Sequence, residues 1–480
     1  YSAGEVVDTI TTGEDGTAQS QPLYLGKFQV KEIQFPHGMV DTGENVTNVE
    51  LVYAGQEVEV TETSASFYNQ RQKALVTLNK VLEQDETFGI GMNGEISAVT
   101  FGLYAQEDIT AADGSVIPAD GLLEIVSVNE NGQAICSTDL PFGSFYLKEL
   151  STDSHYLLNG ETFPFTFEYG GTSVAVVEIS ANDGEAVTNE LIRGEIKGLK
   201  TDENGTGLGG AVIGLFKSDE TEFTAENALA TTTSADDGSF SFTNVPYGDW
   251  VLKELESPEG FILSDEVIPV TVEEDGQVVE ISLANERVYG DLRLTKVDKD
   301  YPDNKLTGAE FEVYRDTNGN KELDEGDELL GKLEETSTGI YEMSHILYGG
   351  VFVRETKAPE GFLLDENAYY VEITENGKIY EVENEAGIGF TNMAQTGSLR
   401  IEKTSSDGKV EGFSFRVTGA NGYDQTFKTD KNGEIFIEGL RVGDYTVSEV
   451  SDGASANYVL PADKKVTILA DKTTVAQMHN

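Results

Sequence analysis

The stretch FVRETKAPEGF, residues Phe352 to Phe362, places a glutamate where a strand would be expected to carry an apolar side chain. Side chains alternate along a strand, so Val351, Val353 and Glu355 share one face. If the valines face a core, the carboxylate faces it as well. A buried carboxylate is costly unless another group compensates it. Glu355 therefore predicts a buried polar partner or a chemical role.

The same pattern occurs five times along the 480 residues. Each copy has a glycine six residues before the glutamate and large apolar residues two and four before it. The copies are LYLGKFQVKE, LPFGSFYLKE, VPYGDWVLKE, LYGGVFVRE and LRVGDYTVSE, which end at Glu32, Glu149, Glu254, Glu355 and Glu449. Such a repeat predicts a tandem array of similar domains.

Two other residue types accompany these glutamates. A strand that ends in lysine precedes four of them, in LVTLNK, EIKGLK, LRLTK and LRIEK, at Lys80, Lys200, Lys296 and Lys403. A strand that ends in asparagine follows all five, at Asn69, Asn189, Asn285, Asn392 and Asn480. By parity, these residues also lie on largely apolar faces. The step from asparagine to the next lysine is 11 residues each time (69 to 80, 189 to 200, 285 to 296, 392 to 403), which predicts identical connections between domains.

These spacings predict the domain organisation. Alternating strands, glycine-rich turns and the lack of an amphipathic helix pattern indicate an all-β chain, a tandem array of immunoglobulin-like β-sandwich modules. The predicted modules are a partial one at 1–71 and complete ones at 72–190, 191–286, 287–393 and 394–480. The partial module holds Glu32 and Asn69 without a lysine strand, and we interpret it as an orphan half-site. Two explanations stay open: the chain is a fragment cut inside a module, or a strand from another molecule supplies the lysine.

Lysine, glutamate and asparagine on buried faces support two interpretations. One is a buried ion pair capped by an amide, which stabilises little because both charges lose their hydration. In the other, desolvation favours neutral lysine, a nucleophile, and neutral glutamic acid. The acid would donate to the asparagine carbonyl and then pass a proton to the leaving ammonia. The product would be a Lys–Asn isopeptide bond, and the fourfold repetition favours this interpretation.

The strand pairs LTKVD with VRETKAPEGF, and GLKTD with LKELESPEGF, resemble the collagen-adhesin B-type, prealbumin-like (SpaA-type) domains of Gram-positive surface proteins and pilins. The resemblance covers essentially the whole chain and is strongest in 287–393. It weakens in 72–190 and 394–480, where ELSTDSHY and EVSDGASANY replace the APEGF turn. It implies a prealbumin-like sandwich with spontaneous intramolecular isopeptide bonds. Its implied amines are Lys80, Lys200, Lys296 and Lys403, its acceptors Asn189, Asn285, Asn392 and Asn480, and its proton shuttles Glu149, Glu254, Glu355 and Glu449.

A second candidate site lies in DTNGNKELDEGDE, residues 316–328. The oxygen-bearing side chains stand at positions 1, 3, 5, 9 and 12 of a calcium loop: Asp316, Asn318, Asn320, Asp324 and Asp327. Lys321 occupies the place where such loops want glycine, and no helices flank the segment. The alternative is an acidic hairpin loop. The sequence requires no other cofactor.

The net charge and the repeats limit the functions that the chain can have. A net charge of −54 argues against binding nucleic acid or anionic membranes. No segment is long and apolar enough to insert into a membrane. We predict an extracellular stalk or pilin-like shaft, anchored to the cell wall through a region outside this sequence and joined to sortase-linked neighbouring subunits. The triad reacts once without turnover, so the chain is not predicted to be an enzyme.

One alternative remains open from the sequence. The chain would be an adhesin that binds a host matrix protein or a glycan through module 72–190. Its candidate binding surface is the aromatic segment GETFPFTFEYGG, residues 160–171. The same segment also fits an ordinary strand.

Overall fold

The computed structural model describes residues 1–110 and 114–480. Strands hold 49% of the residues and helix only 2%, which confirms the predicted all-β class. The helical residues form short 3-10 turns at Glu95–Ala98, Ala181–Gly184 and Ala420–Gly422. Within the described residues, no helix has the length and apolar character needed to cross a membrane.

Residues 1–71 form two small antiparallel sheets rather than a sandwich. The strands are β1 (Gly26–Lys31), β2 (Met39–Val40), β3 (Val46–Leu51) and β4 (Gln70–Arg71). Strand β1 pairs with β3, and β2 pairs with β4. The segment contacts the next module through His37, whose ring lies 4.7 Å from that of Tyr169, and through the Tyr169 hydroxyl, which donates to the Met39 carbonyl.

Each of the next two modules contains two main sheets, and in the described part of 72–190 Ile109–Thr110 and Val116–Ile117 form a third, two-stranded sheet. The strands of 72–190 are β5 (Lys73–Leu82), β6 (Thr100–Ala105), β7 (Ile109–Thr110), β8 (Val116–Ile117), β9 (Leu122–Ser127), β10 (Gln133–Ile135), β11 (Gly143–Ser151), β12 (Thr162–Phe167), β13 (Val176–Ser180) and β14 (Ala186–Asn189). Its sheets run β10-β5-β13, with β14 also on β5, and β12-β11-β6-β9. The strands of 191–286 are β15 (Arg193–Asp202), β16 (Val212–Lys217), β17 (Ala230–Thr233), β18 (Ser239–Pro246), β19 (Gly248–Glu256), β20 (Val267–Val272) and β21 (Val278–Asn285). Its sheets run β18-β15-β21 and β17-β16-β19-β20.

The last two modules repeat this arrangement. The strands of 287–393 are β22 (Tyr289–Asp298), β23 (Glu310–Arg315), β24 (Glu328–Lys332), β25 (Glu334–Ser337), β26 (Ile340–Leu347), β27 (Gly349–Lys357), β28 (Ala368–Ile373), β29 (Ile379–Glu381) and β30 (Phe390–Asn392). Its sheets run β25-β26-β22-β29, with β30 also on β22, and β24-β23-β27-β28. The strands of 394–480 are β31 (Thr396–Thr404), β32 (Ser414–Thr418), β33 (Asp424–Lys428), β34 (Glu434–Arg441), β35 (Gly443–Val450), β36 (Lys464–Ile468) and β37 (Thr473–His479). Its sheets run β34-β31-β37 and β33-β32-β35-β36.

Three strands recur at fixed places in all four modules. The lysine strand (β5, β15, β22 or β31) lies between an antiparallel neighbour and the parallel asparagine strand (β14, β21, β30 or β37). The glutamate strand (β11, β19, β27 or β35) belongs to the other sheet. Lysine and asparagine therefore enter the core from one sheet, and glutamate enters it from the facing sheet.

The glycine six residues before each glutamate opens the glutamate strand. Its φ angle is positive in every copy: 155° at Gly26, 157° at Gly143, 141° at Gly248, 111° at Gly349 and 136° at Gly443. Residues with a Cβ rarely adopt this conformation, whereas glycine does so without strain. The repeated glycine is therefore explained by backbone geometry where the strand enters the sheet.

Candidate functional site

The structure brings lysine, glutamate and asparagine together in each of the four complete modules. Lysine Nζ lies 3.6–3.9 Å from a carboxylate oxygen in Lys80–Glu149, Lys200–Glu254, Lys296–Glu355 and Lys403–Glu449. The asparagine Nδ2 donates to the same carboxylate at 2.9, 2.8, 2.7 and 2.6 Å, from Asn189, Asn285, Asn392 and Asn480. All four lysines and all four glutamates have side chains that are 0% exposed.

One strand register produces this meeting. In every module the lysine lies opposite the residue two before the asparagine, in the pairs Lys80–Val187, Lys200–Leu283, Lys296–Phe390 and Lys403–Met478. The asparagine is the next inward-facing residue of its strand. A lysine side chain that extends along the strand direction therefore ends beside the amide.

The lysine amines differ in their remaining contacts. Lys80 Nζ donates to Asn189 Oδ1 at 2.8 Å, the amide that it would attack. The other amines donate to backbone carbonyls, Lys200 to Leu283 at 3.4 Å, Lys296 to Phe390 at 3.1 Å and Lys403 to Thr404 at 2.7 Å. Among the four modules, 72–190 is the one in which the lysine amine donates a hydrogen bond to the asparagine amide oxygen.

Several buried polar atoms of the triads have no hydrogen-bond partner among the described residues. They are Asn285 Oδ1, Asn392 Oδ1, Asn480 Oδ1, Glu355 Oε1 and Glu449 Oε2. An unpaired buried polar atom costs about 1–3 kcal/mol. A triad selected only for stability would be expected to satisfy these atoms, so the arrangement favours a chemical role over a purely structural one.

The orientation of the asparagine differs from the sequence expectation. We expected glutamic acid to donate to the asparagine carbonyl, but in all four modules the carboxylate contacts the amide nitrogen instead. That nitrogen would depart as ammonia. The carboxyl group can therefore hand a proton directly to the leaving group without rotation of the amide.

Burial shifts the proton equilibria toward the neutral forms. Burial lowers the pKa of Lys80 and of Lys296 to about 8, against the opposing attraction of Glu149 and Glu355. It lowers the pKa of Lys200 and Lys403 as well. Burial also raises the pKa of Glu355 above its usual range. The lowered pKa of the amine and the raised pKa of the carboxyl both favour the neutral pair, in which the lysine is nucleophilic.

In each complete module a turn glycine holds the lysine strand in place, a role that the turn pattern in the sequence did not reveal. Its carbonyl accepts the backbone N–H of the lysine at 2.7–2.8 Å, in the pairs Gly132–Lys80, Gly238–Lys200, Gly339–Lys296 and Gly433–Lys403. All four glycines have positive φ. A Cβ at Gly238 would lie 2.1 Å from the Lys200 carbonyl oxygen, so a side chain there would displace the lysine strand.

A second supporting contact was also missed. The backbone N–H ten residues after the glutamate donates to its Oε2 in three modules, from Asn159 at 2.7 Å, Ser264 at 2.9 Å and Asp365 at 2.9 Å. The corresponding residue in 394–480 is Val459, which is 90% exposed. Glu449 Oε2 accordingly has no hydrogen-bond partner among the described residues.

Lys197, Asn480 and the half-site residues have defined positions in the structure. Lys197, the neighbour of Lys200 with the wrong parity, is 53% exposed and pairs with Glu195. Asn480 is tied to the lysine strand, since its backbone N–H donates to the Thr404 carbonyl at 3.0 Å. In the partial module, Asn69 Nδ2 donates to Glu32 Oε1 at 2.9 Å, so the orphan half-site is assembled without a lysine.

The predicted calcium loop is exposed and internally hydrogen-bonded. Asp324 Oδ2 accepts from the side-chain amides of Asn318 and Asn320 at 2.9 Å each, and Asp316 and Asp327 accept backbone N–H groups. Within the described residues, no cluster of three or more His, Cys, Asp or Glu side chains is arranged to hold a metal ion. Calcium binding at Asp316, Asn318, Asn320, Asp324 and Asp327 stays a prediction.

The aromatic segment 160–171 is not the binding surface that the adhesin alternative requires. Strand β12 turns its phenylalanines into the core, where Phe163, Phe165 and Phe167 are 5%, 8% and 1% exposed. The strand pairs with the glutamate strand β11. That candidate surface was wrong because alternation placed all three rings on the inner face.

Each junction between complete modules carries an arginine held by two carboxylates. In each case the two carboxylates lie within five residues after the triad lysine of the preceding module. The groups are Arg193 with Glu83 and Asp85, Arg287 with Asp202 and Glu203, and Arg441 with Asp298 and Asp300. Asp202 and Asp298 are both 2% exposed. Breaking the pairs that involve Asp202 and Asp298 is costly, because each would leave a buried carboxylate without its partner.

Comparison with known proteins places the last three modules in a recognised family. Residues 194–287, 290–386 and 397–480, more than half of the chain, match the family model described as the SpaA prealbumin-like fold domain. No curated protein sequence matches the chain.

Three solved structures are among those similar to the chain. The Bacillus anthracis TIE protein is 21% identical over 80% of this chain and 68% of its own, with a TM-score of 0.49. BcpA, the major pilin subunit of Bacillus cereus, is 14% identical over 60% of this chain and 99% of its own, with a TM-score of 0.30. A streptococcal ancillary pilin is 17% identical over 68% of this chain and 99% of its own, with a TM-score of 0.26.

Proposed function

Because the chain belongs to the family of SpaA prealbumin-like fold domains, we propose that it is a load-bearing stalk or pilin-like shaft of a Gram-positive cell surface. In this proposal, each of its four complete modules is locked by an isopeptide bond between its lysine and its asparagine. The observation that carries it is the fourfold recurrence of a buried lysine and glutamate beside an asparagine, in one topology.

The proposed reaction uses only the groups of the triad. Neutral lysine Nζ attacks the asparagine Cγ, and the Nζ–Cγ bond forms as the Cγ–Nδ2 bond breaks. The glutamate takes a proton from Nζ and delivers one to Nδ2, which leaves as ammonia. The carboxyl group ends in its starting state, and no oxidant, reductant or cofactor is consumed. Folding supplies much of the rate, because it holds amine and amide together and removes the entropy of their encounter.

The place of the bond in the fold supports a mechanical role. It would join the first and last strands of a module, which are the strands that receive an applied force. A load would then pass from lysine to asparagine and leave the rest of the sandwich unstretched. The arginine contacts at the junctions support the same role, because they oppose bending between successive modules.

The remaining parts of the proposal follow from this role. The chain would lie at the cell surface, and covalently linked neighbouring pilus subunits would be its partners. The triads would act once during folding, so the chain would not be an enzyme. The adhesin alternative has lost its candidate surface, since the phenylalanines of β12 are buried.

Intact mass spectrometry of the folded chain tests the proposal. Each bond expels one ammonia, so the chain should weigh four ammonia units less than its sequence. Peptide mapping should recover the linked pairs Lys80–Asn189, Lys200–Asn285, Lys296–Asn392 and Lys403–Asn480. A variant with all four lysines changed to arginine provides the control and should show no deficit. A wild-type chain of unmodified mass would overturn the proposal.

A further inference from the structure

In module 72–190, a threonine just after the glutamate strand contacts the amide of the triad. Strand β11 ends at Ser151, and Thr152 follows it, three residues after Glu149. The Asn189 Nδ2 donates to the Thr152 hydroxyl oxygen at 2.9 Å and to the two Glu149 carboxylate oxygens at 2.9 and 3.0 Å. Nδ2 is the atom that leaves in the proposed reaction, so the Thr152 hydroxyl touches the reacting group itself.

The contacts on both sides of the Asn189 amide fix its orientation. An amide nitrogen has two hydrogens, so the carboxylate takes one of them and the hydroxyl takes the other. On the opposite side, Lys80 Nζ donates to Asn189 Oδ1 at 2.8 Å. Rotation of the amide by half a turn would set Oδ1 against the carboxylate, where two acceptors would face each other. Thr152 therefore helps to keep the leaving nitrogen at the carboxyl group and the carbonyl at the amine.

The turn that carries Thr152 also holds the carboxylate. At the start of the turn Thr152 contacts Asn189, and at its end the Asn159 N–H donates to Glu149 Oε2 at 2.7 Å. Between these contacts lies Tyr156, which is 3% exposed and whose N–H donates at 3.1 Å to the carbonyl three residues earlier. One anchored turn thus positions the amide and the carboxyl group between which the proton must pass.

The leaving nitrogen has different contacts in the other modules. In 287–393 the Leu363 carbonyl accepts a hydrogen bond from Asn392 Nδ2 beside the carboxylate, and Ala358 occupies the position of Thr152. In the two remaining modules, the described residues give the asparagine nitrogen no acceptor beyond the carboxylate. The Thr152 side chain therefore supplies a contact that the backbone supplies in 287–393.

We propose that Thr152 positions the departing nitrogen of Asn189 and thereby speeds the formation of the Lys80–Asn189 bond. This inference rests on the isopeptide chemistry proposed above. As Nζ bonds to Cγ, Nδ2 loses its planar geometry and must gain a proton before the Cγ–Nδ2 bond breaks and ammonia leaves. With one N–H held by the Thr152 hydroxyl, the nitrogen stays beside Glu149, which delivers that proton. The hydroxyl keeps its own proton throughout, so the balance of the reaction is unchanged.

The rate of Lys80–Asn189 bond formation in full chains refolded from unreacted inclusion bodies tests this role. Samples are quenched in acid at set times, and mass spectrometry of the digest measures the linked peptide. Thr152→Ala and Thr152→Val should each form the bond about tenfold more slowly, because one hydrogen bond to the reacting group is lost. Alanine fits the turn, since Ala358 occupies this position in 287–393. Thr152→Ser keeps the hydroxyl and should restore the wild-type rate, which a purely steric role of the threonine would not predict.

Two comparisons control for effects on folding. Thr166→Val makes the same chemical change at an exposed threonine of β12 and should react like wild type. The other three bonds form in the same chain, away from Thr152, and should keep their rates in every variant. They therefore serve as an internal reference for the quality of each refolded sample.

The wild-type result separates this inference from the proposed function. If wild type forms the Lys80–Asn189 bond and both Thr152→Ala and Thr152→Val form it equally fast, the role of Thr152 is refuted and the proposed function stands. Thr152→Ser that reacts as slowly as Thr152→Ala would also refute the role, because the hydroxyl would then make no difference. A wild-type chain in which Lys80 and Asn189 stay unlinked would overturn both the inference and the chemistry proposed for this module.

Discussion

Replacing Glu355 by glutamine should prevent one cross-link and leave the other three. Glutamine keeps the size of the side chain and can still accept the hydrogen bond from Asn392 Nδ2, but it cannot shuttle a proton at neutral pH. The mass deficit should fall from four ammonia units to three. Peptide mapping should then recover Lys296 and Asn392 in separate peptides.

The size of the stability loss follows from the loop that the bond closes. Phe390 lies 94 residues after Lys296, and Asn392 is two residues further on, so the bond closes a loop of 96 residues. For a cross-link of this span, the chain-entropy relation gives about 4–5 kcal/mol of stabilisation. In a domain of about 100 residues, each kcal/mol moves the melting temperature by about 4–8 °C, so module 287–393 should melt roughly 20 °C or more below its cross-linked form.

Differential scanning calorimetry of the two chains measures this shift. One transition should move to lower temperature in Glu355→Gln, while the transitions of the other modules stay in place. Glu360→Gln is the matched control, because Glu360 is an exposed glutamate of the same APEGF turn. A Glu355→Gln chain that keeps the four-ammonia deficit would refute the role given to Glu355.

Three further predictions concern proton transfer, the junctions and calcium. The neutral Lys296–Glu355 pair carries as many protons as its ion pair, so the rate of bond formation should not change with pH while the pair keeps that number of protons. In chains refolded from unreacted inclusion bodies, the rate should fall above about pH 8, where burial has placed the pKa of Lys296 and the pair loses the proton that Glu355 delivers. A rate that keeps rising above that pH would contradict the proton role of Glu355. Arg441→Ala should broaden the distribution of distances between spin labels on the last two modules. Arg416→Ala, which removes an exposed ion pair within one module, should leave that distribution unchanged. An unchanged distribution in Arg441→Ala would show that other contacts hold the junction. Calcium added to the chain should release or absorb heat in a calorimeter, and Asp324→Ala should abolish it, while a wild-type chain that gives no heat would remove the calcium site.

Much of the triad geometry could be anticipated because it depends on alternation alone. Lysine and glutamate fall at fixed parity from apolar neighbours, and a β-strand converts that parity into a face. The constant register of lysine opposite the residue two before asparagine then follows from pairing the same two strands in every module. A one-residue slip would turn the whole apolar set outward, so the core itself fixes the register.

Other features depend on contacts that no local pattern encodes. The N–H groups of Asn159, Ser264 and Asp365 reach their glutamates through a turn whose side chains vary, because only the backbone makes the contact. The ion pairs of the junction arginines could not be predicted from the sequence for a related reason. Their carboxylates follow the lysine at different offsets, as Glu83 and Asp202 illustrate. The arginines also differ in position, since Arg287 precedes β22 whereas Arg441 ends β34. Alternation likewise could not tell which face of β12 was inward.

The two kinds of contact, cross-link and junction, lead to a mechanical prediction. In module 287–393 the load enters at the start of β22, reaches Lys296 and would cross the isopeptide bond to Asn392 in the parallel strand β30. Residues 297–391, between the bonded pair, would then carry no tension, so a wild-type chain pulled from its ends should show no unfolding step from any complete module.

Without the bond, the same load shears β22 from β30, which share only three paired positions. Unfolding then frees the 96-residue loop, and at about 3.3–3.6 Å per residue its extension is on the order of 300 Å. Single-molecule pulling of the Glu355→Gln chain should therefore show one step of that length, and Glu360→Gln should show none. Steps of similar length in the wild-type chain would mean that the load does not pass through the lysine and asparagine, and the proposed shaft would lose its mechanical basis.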